Sequence, residues 1–199
     1  MAVIQIASVG DVNDEMMQMI ARHIEAMFGL HTEAQNLVSL PNPDYAFDKK
    51  RGQYSSTLIL RSIAPLATHC EKFLTITEVD LFIPMMTFVY GQAQLAGKVA
   101  VVSLARLRPE FYGLPPDKDL MVRRVRKEVS HELGHTLGLI HCPDKTCLMS
   151  LATEIMQVDL KFENFCRNCS LNLEENLKKL SIINDQRSPK SSHSPTADG

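Results

Sequence analysis

Apolar and polar residues alternate from Val3 to Ser8, the period of a strand with one face toward a core. The period then changes. Met16, Ile20, Ile24, Met27 and Phe28 recur at spacings of three and four, which gathers them on one side of a helix. Asn13 or Asp14 can cap its start and Gly29 can stop it. Thr32 to Leu40 reads as a second strand. Pro41 to Gly52, with two prolines, a glycine and several charges, reads as an exposed loop. Helical spacing returns from Tyr54 to Leu66 through Leu58, Ile59 and Ile63, and Phe73 to Ile83 is strand-like, closed by Pro84. Phe88 to Leu95 and Val99 to Leu107 read as strands joined by Ala96-Gly97, a link short enough for a hairpin. The run VAVV from Val99 to Val102 suits a strand buried on both faces. After a loop with Gly113, Pro115 and Pro116, Asp117 opens a long helix to about Leu137.

This order of strand, helix, strand, helix, several strands and helix predicts a mixed α/β (α+β) fold, a twisted sheet of about five strands layered with helices. Beyond Cys142 the spacings shorten. A C-terminal helix follows, with Asn172-x-x-Glu175 as its cap and Leu173, Leu177 and Leu180 as its apolar stripe. Residues 184–199 are polar and aperiodic, the composition of a disordered tail. The expectation is one domain over 1–183, with the sheet and its last long helix in 1–140 and a smaller appendage in 141–183.

A chain of 199 residues can bury a sizeable core without staples. The net charge of −2 lacks the basic excess of a nucleic-acid or membrane-surface binder, so neither partner is expected. No run reaches the ~20 apolar residues of a membrane span. The first residues carry no secretory pattern, which leaves a reducing cytosol as the expected compartment and a monomer as the expected state. Five cysteines cannot all pair within the chain.

The strongest signal is HELGHTLGLIH, residues 131–141. His131 and His135 lie one helical turn apart on one face, so both imidazoles can reach one ion. Val125, Val129, Leu133 and Leu137 form the buried stripe of that helix and leave the histidines facing a cleft. Gly138 can take the left-handed conformation that ends the helix and brings His141 back as a third ligand. Three histidines leave one position of a tetrahedral zinc open, the arrangement of a catalytic site. Glu132 is placed to take a proton from a zinc-activated water. Surface histidines, or a metal kept for structure alone, are the plainer readings.

Cys142, Cys147, Cys166 and Cys169 give C-x4-C-x18-C-x2-C, the arithmetic of a closed four-thiolate zinc site, with disulfides as the competing reading. Cys142 directly follows His141, so the second metal would hold the backbone that presents the third histidine. Cys70 is left over as a small buried or free thiol.

The string H-E-x-x-H-x-x-G-x-x-H resembles the metzincin metallopeptidases. Joined to C-x4-C-x-M and a downstream C-x2-C, it resembles one family of them, the archaemetzincins. RGQYSS (Arg51 to Ser56), FVYGQAQLAG (Phe88 to Gly97) and ARLRPEFYG (Ala105 to Gly113) extend the resemblance over most of 1–183. It implies zinc-dependent peptide hydrolysis: a catalytic zinc on His131, His135 and His141, Glu132 as general base, and a structural zinc on Cys142, Cys147, Cys166 and Cys169. It also implies Met149 in a turn beneath the catalytic zinc and Phe88 to Leu95 as an antiparallel edge strand that binds peptide substrate by strand addition. Some metzincins place a tyrosine just after that turn. None stands between Ser150 and Asn164 here, which leaves Tyr112 or Tyr90.

Arg123, Arg124, Arg126 and Lys127 read as a solvated helix face, or as a patch for acidic peptide segments. Three functions remain open on the residues alone: a zinc metallopeptidase acting on peptides or proteins, a catalytically silent zinc protein that binds them, and a hydrolase of a non-peptide amide with the same site chemistry.

Overall fold

The computed structural model describes residues 3–187. Five strands form the main sheet: β1 (Val3–Val9), β2 (His31–Leu40), β5 (Lys72–Thr77), β7 (Gly91–Ala93) and β8 (Val99–Ser103), in the order β2-β1-β5-β8-β7. All neighbours are parallel except β7, which runs antiparallel to β8 at one edge. A small second sheet pairs β3 (Phe47–Asp48), β4 (Gln53–Ser55) and β6 (Leu81–Phe82).

Helices cover both faces of the main sheet. On one side lie α1 (Asp14–Phe28) and α3 (Lys118–Thr136), and on the other α2 (Ser56–Ile63). Strand β8 divides its side chains between them: Ala100 and Val102 join the α1/α3 core, and Val99 and Val101 join the α2 core. A strand buried on both faces is what its unalternating sequence requires. Helix α1 begins at Asn13, whose carboxamide accepts from the Glu15 N–H at 2.7 Å, and ends at Gly29 in the left-handed conformation. Helix α4 (Ile155–Leu160) follows the segment with Cys142 and Cys147, and the long α5 (Arg167–Arg187) begins just after Cys166 and contains Cys169. Among the described residues no helix is long and apolar enough to cross a membrane.

Several boundaries differ from the sequence reading. Tyr54 lies in strand β4, and α2 starts only after Ser55 caps it through the Leu58 N–H. Phe73 to Ile83 divides into β5 and β6, and Val99 to Leu107 stops as a strand at Ser103 and ends in a 3-10 turn. Phe88 to Leu95 contributes only Gly91–Ala93 as ladder, and the loop 41–52 includes a 3-10 turn and β3. Helix α5 starts at Arg167, so Asn172 and Glu175 lie inside it and cap nothing. Its first turn begins at Cys166, whose carbonyl already accepts the Ser170 N–H at 2.9 Å. The helix also runs to Arg187, past the expected start of the tail, while residues 188–199 of that tail lie outside the described residues. Leu173, Leu177 and Leu180 pack against the α1/α3 core as their spacing predicts.

Candidate metal centres

Helix α3 sets the site. Its stripe Val125, Val129, Leu133 and Leu137 is buried against the sheet. The turn that carries His131 and His135 faces a cleft of about 360 Å³, which Glu132 and His141 also line. Gly138, at φ +90°, ends the helix. Its N–H donates to the His135 carbonyl at 2.9 Å, and the Leu139 N–H donates to the Gly134 carbonyl at 2.9 Å. This paired closure, available because glycine tolerates the left-handed turn, swings the chain back toward its own helix. His141 thereby meets the other two: its Nε2 lies 3.2 Å from His135 Nε2, which lies 3.1 Å from His131 Nε2.

The ring nitrogens pointing away fix the chemistry of those pointing in. His131 Nδ1 is 2.9 Å from the Leu148 carbonyl and His135 Nδ1 is 2.7 Å from the Leu139 carbonyl. A carbonyl only accepts, so each Nδ1 carries the proton and each Nε2 presents a lone pair. The two Nε2 lone pairs so exposed converge with His141 Nε2, an arrangement that suits a cation. Metal–nitrogen bonds of about 2.0–2.1 Å in a tetrahedron would hold the nitrogens about 3.3 Å apart, close to what is seen. Burial holds His131 well below the usual imidazole range and lowers His135 and His141 too, which favours the neutral form that a metal ligand requires.

Beneath the centre, Met149 is fully buried, and its Sδ lies 2.6 Å from where a Cβ on Gly134 would stand. Glycine at 134 therefore lets the methionine turn press directly on the ligand helix. Glu132 is 5% exposed. Burial, then the charge of Glu128 one turn earlier, pushes its carboxyl well above the usual range, and Lys161 opposes this.

The four cysteines also converge, with all sulfurs within 4.8 Å of one another. Cys142 Sγ and Cys166 Sγ stand 3.8 Å apart, far beyond a disulfide bond. A tetrahedron of about 2.3 Å zinc–sulfur bonds has edges of about 3.8 Å. The Cys166 N–H donates to Cys147 Sγ at 3.4 Å, as thiolate sites commonly arrange. The centres share backbone: the Cys142 N–H donates to the Met149 carbonyl at 2.9 Å, tying the residue after His141 to the methionine turn. Cys70 stands apart, buried between the sheet and α2, where desolvation pushes its thiol up.

The basic cluster of α3 is not a solvated face. Arg123 is exposed, but Arg124 and Lys127 are buried because α4 folds over that side of the helix. Arg124 grips Asp159 with two bonds of 2.7 Å and donates to the Leu107 carbonyl. Lys127 donates to the Val158 and Asp159 carbonyls at the end of α4, the end that favours a cation. The segment after the methionine turn is thus clamped to the ligand helix, and the cluster offers no open patch for acidic peptides. Tyr90 lines the cleft, whereas the Tyr112 hydroxyl donates to the Arg106 carbonyl outside it.

Three features of the site escaped the sequence reading. Lys161 pairs with Glu128 at 3.0 Å beside the cleft. Asn176 of α5 donates to the Leu137 carbonyl at 2.8 Å, bracing the Gly138 turn. Lys72 donates to the Thr136 and Gly97 carbonyls at 2.6 and 2.7 Å and so caps α3 just after His135. Only Glu128 had a local signal, its one-turn spacing from Glu132.

Known proteins resemble this chain in sequence and fold. The model of peptidase family M54 matches residues 34–175. The archaemetzincin of Methanocaldococcus jannaschii is 46% identical over 170 residues, covering 85% of this chain and 92% of that one. The crystal structure of the Methanopyrus kandleri archaemetzincin superposes with a TM-score of 0.76 at 34% identity, covering 89% of this chain and 96% of that one. A zinc-dependent peptidase from Methanocorpusculum labreanum superposes at 0.72 with 26% identity, covering 85% and 99%. Fold, three-histidine centre and relatives together define a zinc metallopeptidase. The chain belongs to the archaemetzincins, peptidase family M54.

Proposed function

We propose that this chain hydrolyses peptide bonds with Glu132 as general base, a catalytic zinc on His131, His135 and His141, and a structural zinc on Cys142, Cys147, Cys166 and Cys169. The observation that carries the reading is the convergence of three Nε2 atoms, two of them turned into acceptors by their backbone partners, beside the buried Glu132 in a cleft. Zinc in such a set supplies Lewis acidity toward water and a substrate carbonyl. The chain's own residues do the rest. Glu132, with its raised proton affinity, takes a proton from the attacking water and passes it to the leaving amine. Strand β7 ends the sheet beside the cleft, and its free edge offers backbone hydrogen bonds to an extended substrate. The closed thiolate cluster offers no open position and acts on the backbone of His141. Four unpaired, clustered thiols suit a reducing cytosol, where we expect the protein to act as a monomer.

The deciding experiment compares wild type with Glu132→Ala on a peptide library, together with elemental analysis. Two zincs in both proteins, with hydrolysis only in wild type, support the reading. Two zincs with no cleavage by wild type favour a peptide-binding zinc protein instead.

A further inference from the structure

Glu132 must hold its carboxylate where the water arrives, and strand β7 sets the room it has. Gly91 is the first residue of that strand. Its backbone is not left-handed, so conformation does not call for glycine there. A glycine in a strand packs nothing and weakens it; it is retained where another group must come close. The group that comes close is Glu132. A Cβ on Gly91 would lie 2.6 Å from Glu132 Cγ, 2.7 Å from Oε1 and 2.8 Å from Cδ, inside any normal contact.

Neither side can step back. Gly91 pairs with Val102 of β8, which is wholly buried in the core. Helix α3 is pressed on the sheet through Val129 and Leu133, both wholly buried, and bonded to the hairpin by the Ala96 N–H on the His135 carbonyl at 2.9 Å. The strand's alternation fits the same demand. Gly91 and Ala93 share the face toward α3, while Gln92 points to the opposite side, where it accepts from Ser56 Oγ at 2.7 Å.

We propose that Gly91 is a positioning residue for Glu132: its missing side chain is the space that lets the carboxylate lie against the edge strand, where a strand-paired substrate passes. This rests on the reading of Glu132 as base. The test is Gly91→Ala in the full, zinc-loaded chain, assayed on a peptide that wild type cleaves. A displaced base is expected to lower kcat about 100-fold with KM within about threefold and zinc content unchanged. Thermal unfolding gives a readout independent of activity. Gly91→Ala should lower Tm in the Glu132 background and cost much less in the Glu132→Ala background, where the clashing atoms are gone. If Gly91→Ala does not fold, the double variant should. Wild-type kcat, a kcat loss matched by zinc loss, additive Tm shifts or failure of both variants to fold would each overturn the proposal. Retained activity in Glu132→Ala would instead remove the base reading, while the Tm cycle would still report on the contact.

Discussion

Lys161 and Glu128 form a salt bridge at 3.0 Å with side chains 0% and 4% exposed, one helical turn from Glu132. Each charge is tolerated there because the other is present. Lys161→Met should leave an unpaired buried carboxylate and cost about 3–5 kcal/mol of stability. Adding Glu128→Gln should recover most of that loss. Urea unfolding of the single and double variants checks this, and equal midpoints for the two would contradict it.

His141 and Cys142 are consecutive, so the two centres should not be metallated independently. On the proposed two-zinc reading, Cys166→Ser is expected to lower zinc from two per chain to one. It should also weaken the remaining catalytic zinc about 10- to 100-fold, the usual effect of losing a supporting contact. Elemental analysis with a competing chelator measures both. An unchanged affinity at the histidine centre would separate the two sites.

Asn176 braces the same turn from the other side. Asn176→Ala removes its bond to the Leu137 carbonyl and should cost about 1 kcal/mol. It should also speed zinc release from the histidines with the cysteine zinc retained. Chelator-stripping kinetics followed at both sites decide the matter.

His23 gives a pH signature. Its Nε2 lies 2.7 Å from Ser130 Oγ, and burial, with the nearby Arg126 charge, lowers its pKa to about 4 from an ordinary value near 6.5. On acidification the unfolded chain takes up this proton before the folded one does. Stability from this group is therefore unaffected above about pH 6.5 and falls as pH drops from there toward 4. His23→Gln should flatten that part of the stability curve. Unfolding midpoints at matched zinc loading, taken across this window, test the sign. A steeper acid loss in the variant would refute it.

The two clusters, three histidines and four cysteines, were legible because chain spacing constrains them. His131 and His135 share a face by helical geometry, and Gly138 advertises the turn that returns His141. The residues that aim and support these ligands were not legible, because they arrive from far along the chain. Lys161 reaches Glu128 across 33 positions and Asn176 reaches Leu137 across 39. Arg124 and Lys127 were misread for the same reason: periodicity shows which side of a helix is polar but not that α4 will cover it. The short ladders β3 and β4 escaped, and β6 and β7 were drawn too long, because two or three residues carry too little alternation to mark a strand or its ends.

The reach of α5 back to the Gly138 turn also has a consequence in time. Synthesis proceeds from the N-terminus, so the histidine motif leaves the ribosome well before Cys166, Cys169 and Asn176. The nascent chain therefore holds all three clustered histidines while the residues that steady His141 are still untranslated. The third histidine is thus present in the growing chain before the residues that steady it, so its turn is braced only after the histidine motif itself is complete.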